Sequence, residues 1–316
     1  MTTLPASRLA HIVNGLLRRV VKPRAQLWSD ARETRQLFDG ALFTRAWVAG
    51  PVRFTPSTDA PVRGEWTTSR TGSDGMRTIL HLHGGGYQSG SPVTVRPITG
   101  GLATAARARV FAPDYRRAPE HRFPAAFDDA LASYRWLLSQ GIPSTSIAVS
   151  GDSAGGGLAL ALLLALRDGG EPMPACATLI SPWTDMLGAG ESNRTNMDRC
   201  ALFNEQSIAL ASRAYLGDAD PRDVRASPVY GRFDGLPPLL VHVGADEMIR
   251  DDGTRVVEKI RAAGGEAHCA LWPVVPHAWQ LYGTLMREAR ESLRALGQFI
   301  AAKTSVPVAP GIEQTR

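Results

Sequence analysis

Gly151-Asp152-Ser153-Ala154-Gly155 follows a β-rich run, Ser146–Ser150, and opens an apolar helical stretch at Ala154. Strand, sharp turn, then helix is the setting in which G-x-S-x-G marks a nucleophilic serine. The flanking glycines permit a turn too tight for a Cβ, so Ser153 projects its hydroxyl. A helix amino terminus beneath it favours developing negative charge. A phosphate-binding loop would end in Lys-Ser or Lys-Thr, and this segment does not. His83-Gly84-Gly85-Gly86 closes another β-rich run, Arg77–His83. Consecutive glycines let backbone amides converge on one point, where they can hold the oxyanion of a tetrahedral intermediate. Losing one such donor costs about 2.7–4 kcal/mol of barrier. The amide of Ala154, next to the nucleophile, supplies a further donor.

Such a serine needs a base, and the base needs an acid to orient it. His277 stands in Pro273-Val274-Val275-Pro276-His277-Ala278-Trp279, a loop after the last β-rich run that two prolines stiffen. Four carboxylates crowd the stretch after Leu239–Val243: Asp246, Glu247, Asp251 and Asp252. Asp246 is expected to be the acid, because it lies just past a strand end. Glu247 points away from its neighbour by simple alternation. Asp251 and Asp252 precede a helical run, where exposed amides and the helix dipole favour acids structurally. Asp251 is the serious competitor. The order Ser153, Asp246, His277 is that of an α/β-hydrolase, not of the chymotrypsin or subtilisin arrangements.

Other polar residues read as structural. His81 and His83 make an H-x-H, yet zinc needs three or four ligands and no further one is near, so no metal is expected. His83 is expected to brace the glycine loop, His242 to be a satisfied core residue, and Asp152 to anchor the turn beside the nucleophile. Arg117 and Glu120 are expected to pair and brace a loop under the site. No partner is identifiable for His11, His121 or His268.

The elements that must position these groups alternate from about residue 62. Val62–Thr67, Arg77–His83, Arg109–Pro113, Ser146–Ser150, Cys176–Ile180, Leu239–Val243 and Ala267–Trp272 read as strands. Pro124–Leu138, Ala154–Arg167, Asp252–Ala263 and Gln280–Lys303 read as helices. Alternation of this kind gives a mostly parallel sheet, here expected to have eight strands, with helices on both faces. Two regions break the rhythm. Residues 1–45 are helical and precede any strand, and 184–230 is too long for a simple crossover and holds a helix near Asn204–Leu216. Both are expected to form a helical cap over the sheet's carboxyl edge, where open α/β folds bind ligands. Leu202, Phe203 and Tyr215 are its candidate specificity residues. The core then comprises residues 46–183 and 231–303, and residues 304–316 are expected to fray.

The 316 residues are 44% hydrophobic and 21% charged, which excludes a disordered or fibrous chain. No apolar run reaches the roughly eighteen residues that span a bilayer, so no integral membrane segment is expected. Net charge is +5, but residues 1–29 carry Arg8, Arg18, Arg19, Lys22 and Arg24 and no acid. The remainder is balanced, which leaves no extended groove for nucleic acid. The stretch from Leu9 to Val21 is amphipathic and basic and lacks the long apolar core of a secretory signal. It is read as a helix packed on the body, with a targeting or membrane-surface role as the alternative. Cys176, Cys200 and Cys269 are odd in number and widely spaced, which fits a cytoplasmic protein.

His83-Gly84-Gly85-Gly86-Tyr87, the segment from Asp114 to Ala125, and Gly151-Asp152-Ser153-Ala154-Gly155-Gly156 resemble the bacterial hormone-sensitive-lipase family of carboxylesterases. The resemblance runs from about residue 75 to 300, through Ser181-Pro182-Trp183, Gly235-Leu236-Pro237-Pro238 and the neighbourhoods of Asp246 and His277. It implies a cofactor-free, monomeric or dimeric serine esterase acting on short to medium acyl chains. It also implies an oxyanion hole at Gly85, Gly86 and Ala154, with His83 and Gly84 in support. Ala278-Trp279 departs from the Gly-Phe pair of many members, and Trp279 is expected to reshape the nearby pocket. Lactone and amide hydrolysis use the same constellation. A non-catalytic small-molecule receptor on this fold would have a degenerate triad, and every triad position here carries a competent residue.

Overall fold

Near-continuous apolar strands that alternate with helices dictate a sheet buried on both faces. In the computed structural model, which describes residues 5–24, 30–39, 47–48, 50–70 and 77–305, that sheet has eight strands. They are β1 (Val52–Ser57), β2 (Gly64–Ser69), β3 (Thr78–Leu82), β4 (Arg109–Pro113), β5 (Ile147–Asp152), β6 (Cys176–Ile180), β7 (Leu239–Gly244) and β8 (Ala267–Trp272). Their order is β1-β2-β4-β3-β5-β6-β7-β8. The β1/β2 and β2/β4 pairings are antiparallel and the rest parallel. Strands β3, β5 and β6 are buried along their whole length, as parallel strands covered on both sides must be.

The helices are α1 (Arg8–Val20), α2 (Ala31–Phe38), α3 (Arg96–Ala106), α4 (Ala125–Ser139), α5 (Ala154–Asp168), α6 (Ser192–Thr195), α7 (Glu205–Leu216), α8 (Arg250–Ala262) and α9 (Arg287–Lys303). One face of the sheet, through Leu80, Val149 and Leu179, packs on α4, α5 and α8. The other, through Ile79, Ala148 and Ile180, packs on α3 and α9. Helix α5 runs under the middle of the sheet, apolar almost all round, with Leu158, Leu160, Leu162 and Leu163 fully buried.

Between β6 and β7 the chain makes α6 and α7 instead of a simple crossover. Asn204 caps α7 in a capping box with Ser207, which fixes where that helix begins. Helix α1 reaches this segment: Arg18 donates to Arg199 O at 2.5 Å, Lys22 to Met197 O, and Asn204 Nδ2 to Lys22 O at 3.4 Å. At its start, Ser7 is held by Glu288 of α9 through N–H and Oγ donors at 2.6 and 3.0 Å. Of the amino-terminal residues expected in the cap, 1–4, 25–29 and 40–45 lie outside the described residues, as do residue 46 and the tail from 306. Thr304 and Ser305, expected to fray, are tied: Thr304 Oγ1 accepts from Arg77 at 2.5 Å, and Ser305 N donates to Thr145 O at 2.9 Å.

Candidate active site

Ser153 sits where β5 turns into α5, with φ 54° and ψ −122°. A non-glycine residue at positive φ carries strain of about 1–3 kcal/mol and persists only when its surroundings fix it. Here they do: Ser153 N donates to Ile180 O at 2.8 Å, and Ser153 O accepts from Trp183 N and Gly156 N, both at 2.9 Å. The flanking glycines are required by space. A Cβ on Gly155 would stand 2.0 Å from Leu82 O, and one on Gly151 would stand 2.2 Å from Gly155 O.

His277, in the loop after β8, brings Nε2 to 2.8 Å from Ser153 Oγ. Its Nδ1 lies 2.6 Å from Oε2 of Glu247. A carboxylate only accepts, so Nδ1 carries the proton and Nε2 presents its lone pair to the serine hydroxyl. The side chains of His277 and Glu247 are 6% and 3% exposed, so the pair is shielded from water. The other oxygen of Glu247, Oε1, accepts from Ser181 Oγ and from Gly244 N, each at 2.6 Å. Asn196 reaches down from the β6–β7 segment and donates to Ala245 O and Glu247 O, both at 2.9 Å.

The acid facing His277 is therefore Glu247, and the expectation of Asp246 is corrected. Asp246 turns outward to Arg199 at 3.6 Å, with its side chain 26% exposed. The chain turns as β7 ends, Glu247 N donating to Gly244 O at 3.2 Å, so strand alternation no longer decides which side chain faces the site. The other two acids tether the β6–β7 segment: Asp251 accepts from Ser192 N at 2.8 Å, and Asp252 from Thr184 N and Asp185 N at 2.7 and 2.9 Å.

The glycine loop is held from several sides. Asp152 Oδ1 accepts from Gly84 N at 3.0 Å, so Asp152 anchors the loop across the sheet edge. His81 Nε2 faces the same oxygen at 3.2 Å, off the hydrogen-bonding direction, and its Nδ1 lies 3.2 Å from Ser150 Oγ. His83 donates from Nδ1 to Gly84 O at 2.9 Å and stacks on Tyr115, with ring centroids 4.0 Å apart. Complete burial holds its pKa down to about 3, so the ring stays neutral. The amides of Gly85, Gly86 and Ala154 have no acceptor among the described residues. They remain available to a ligand oxygen beside Ser153.

Two residues that sequence reasoning passed over fasten α2 to this loop. Arg35 donates to Gln88 O and Ala118 O at 2.8 and 3.1 Å and grips both oxygens of Glu120 at 2.8 and 2.7 Å. That grip pulls the Glu120 carboxyl down to about 2. Asp39 accepts from Gly90 N at 2.7 Å, and burial raises its pKa. Arg117 and Glu120, expected to pair, do not: Arg117 takes Asp114 at 3.3 Å and Gly90 O, while Glu120 goes to Arg35. Both contacts join backbone groups more than fifty residues along the chain, so no local pattern in the sequence links Arg35 to Gln88 or Asp39 to Gly90.

Above the serine opens an apolar cleft of about 1030 Å³, its mouth included. Leu17 of α1, Phe38 of α2, Leu202, Phe203 and Ile208 wall it from above. Phe203 meets the His277 ring edge-to-face, centroids 4.8 Å apart. Of the other expected specificity residues, Tyr215 lies beneath, stacked on Tyr87 at 3.7 Å. Trp279 is fully buried against Trp272 and donates to Glu288 O at 3.2 Å, so it shapes the body behind the site and not the cleft. His242 is buried with Nδ1 2.8 Å from Ser292 Oγ. Among the described residues, no group of three or more His, Cys, Asp or Glu could hold a metal ion.

A family model described as the alpha/beta hydrolase fold matches residues 79–281. An esterase of the bacterial hormone-sensitive lipase family, solved by crystallography, superposes with a TM-score of 0.86 at 36% identity, covering 96% of this chain and 100% of its own. The chain belongs to the hormone-sensitive-lipase family of α/β-hydrolases. Among its relatives are an acetyl-hydrolase of Streptomyces hygroscopicus, 42% identical over 76% of this chain and 80% of that protein, and an esterase of Acinetobacter venetianus, 34% identical over 92% and 95%. For a hormone-sensitive-lipase relative, the turn at Ser153, the loop at Gly84–Gly86 and the wall over them form one continuous site on the carboxyl edge of β3, β5, β7 and β8.

Proposed function

We propose that the protein is a serine carboxylesterase that cleaves esters of short to medium acyl chains through Ser153, His277 and Glu247. The observation carrying this reading is the unbroken hydrogen-bonded line from Ser153 Oγ through His277 to Glu247, at 2.8 and 2.6 Å. Ser153 attacks the ester carbonyl carbon while His277 Nε2 takes its proton. The imidazolium that forms is stabilised by Glu247, which stays ionised. The carbonyl oxygen, now an oxyanion, falls to the amides of Gly85, Gly86 and Ala154 and to the positive end of α5. His277 returns the proton to the departing alcohol, then activates water to release the acid from Ser153. No step calls on a metal or an organic cofactor.

Support for the acyl range comes from the cleft, whose walls are apolar around a buried polar floor. A cytosolic setting is supported by Cys176, Cys200 and Cys269, none of them in a disulfide. The test is burst kinetics on p-nitrophenyl acetate and longer p-nitrophenyl esters, with Ser153→Ala as control. A burst proportional to enzyme is expected for the wild type. Ser153→Ala should keep its fold and lose the burst, with at most about 10³–10⁴-fold catalysis over water left from the remaining groups. Wild-type turnover in this variant would remove the proposal.

A further inference from the structure

Helix α1 has two working faces, and the site uses one. Ala10 and Asn14 are buried against the body, Leu17 lines the cleft, and Ser7, Arg18 and Lys22 are bonded to α9 and to the β6–β7 segment. The helix is thus a fixed wall. Its outward side carries Ile12, Leu16 and Val20, exposed by 65%, 60% and 42%. Four-residue spacing puts them in one stripe along the axis. Arg8 and Arg19 are exposed as well and fall within about 40° of Ile12 around the helix, on the stripe's other flank. His11 and Arg24 are exposed nearby, and residues 1–29 contain no acid.

We propose that this outer face of α1 docks the protein on an anionic phospholipid surface. An apolar stripe flanked by arginines is what a helix lying in a bilayer interface presents: the apolar side chains enter the acyl boundary while the cations stay among the headgroup phosphates. Charge selects this occupant over a second copy of the chain. A two-fold interface through the stripe would set the arginine flank against its own copy with no acid from residues 1–29 to compensate. The position also matters, because Leu17 of the same helix lines the catalytic cleft. A docked bilayer therefore lies about one helix diameter, 10–12 Å, from the cleft wall.

The experiment is flotation of the full chain with vesicles of phosphatidylcholine alone or mixed in equal parts with phosphatidylglycerol. Two variants are compared, Ile12→Ser/Leu16→Ser/Val20→Ser and Arg8→Gln/Arg19→Gln. None of these residues lines the cleft, so hydrolysis of soluble p-nitrophenyl acetate should match the wild type in both. Failure of the docking proposal is thereby separated from failure of the esterase reading. Wild type should float with the anionic vesicles, not with phosphatidylcholine, and detach at about 0.5 M salt. Each variant should lower the bound-to-free ratio by about tenfold or more. Wild type that floats with neither vesicle, or with both equally, overturns the proposal. So does a triple variant that floats like the wild type. Light scattering that shows a wild-type dimer split by the serine substitutions assigns the stripe to a second copy instead. Should the triple variant not fold, the Arg8/Arg19 variant and the salt series decide alone.

Discussion

Replacing Glu247 by glutamine tests the site at the point where sequence and structure part. The change keeps shape and volume, and the neighbours dictate how the new amide must lie. Oε1 of Glu247 accepts from Gly244 N at 2.6 Å, and a backbone N–H cannot accept in return. The amide oxygen must therefore take the Oε1 place, which turns the NH₂ toward His277 Nδ1, 2.6 Å away. Nδ1 then has to accept, and the ring carries its proton on Nε2. That proton points at Ser153 Oγ, so the base can no longer take the serine proton. An equivalent tautomer error in a serine protease lowers kcat about 10⁴-fold, which is about 5 kcal/mol of barrier.

The comparison is Asp246→Asn. Among the described residues Asp246 pairs with Arg199 at 3.6 Å, partly in solvent, a contact worth about 0–1 kcal/mol to stability. Its kcat should stay within about twofold of the wild type. Glu247→Asp should fall between the two, because a carboxylate withdrawn by one methylene cannot serve both His277 and Gly244. A misplacement of about 1 Å already costs about 10²-fold. Saturation kinetics on p-nitrophenyl acetate, with thermal melts to certify folding, measure all three. A crippled Asp246→Asn beside a fully active Glu247→Gln would refute the reasoning about which acid orients the base.

Gly155→Ala should destabilise the protein at or beyond the upper end of the usual overpacking range of about 1–3 kcal/mol, because the new Cβ would be driven against Leu82 O at 2.0 Å; urea unfolding measures this, and an unchanged midpoint would mean that the elbow has slack. Asp252 gives a pH signature, since burial first, then Asp185, raises its carboxyl to about 8, against about 3.9 for an unfolded aspartate. Between roughly pH 4 and 8 the folded chain holds a proton that the unfolded chain has released, so stability falls as pH rises through that window. Asp252→Asn cannot ionise yet keeps an oxygen for the Thr184 and Asp185 amides, so its stability relative to the wild type should improve between roughly pH 5 and pH 8. An equal difference at both pH values would contradict this.

Most of the frame was legible because buried parallel strands announce themselves. Arg109–Pro113 and Cys176–Ile180 have the same bounds in sequence and structure, each an apolar run bounded by turn residues, and Ala267–Trp272 keeps its bounds too although, at the sheet edge, only its two end residues are buried. Besides the four-residue α6, two elements escaped for physical reasons. Strand β1, Val52–Ser57, contains Pro56 and alternates weakly, which an edge strand tolerates and a central one does not. Helix α3 carries Gly100 and Gly101, poor helix formers whose value appears only in the packed state. A Cβ on Gly101 would come 2.7 Å from Leu293, and one on Gly297 would come 2.4 Å from Ala105, so α3 and α9 approach through their glycines. Propensity argued against a helix that tertiary packing demands.

The turn at Ser153, the loop carrying His277 and the glycine loop, to which we assign the nucleophile, the base and the oxyanion hole, could be located in the sequence because each has a local cause, a turn or a run that only certain residues can make. The acid does not. Its side chain is aimed by a turn that it helps to build, Glu247 closing on Gly244 through both its own N–H and its carboxylate. The extra methylene of glutamate lets Oε1 secure that turn while Oε2 reaches His277, a division that the outward-facing Asp246 cannot make from its position. The turn is then locked from far along the chain: Asn196 binds Ala245 O and Glu247 O, and Ser192 Oγ donates to Met248 O at 2.6 Å. Both residues belong to the segment that also carries Phe203 to the face of His277. The wall that shapes the cleft and the loop that orients the base are therefore one mechanical unit, and substitutions in residues 192–203 should move kcat as well as KM.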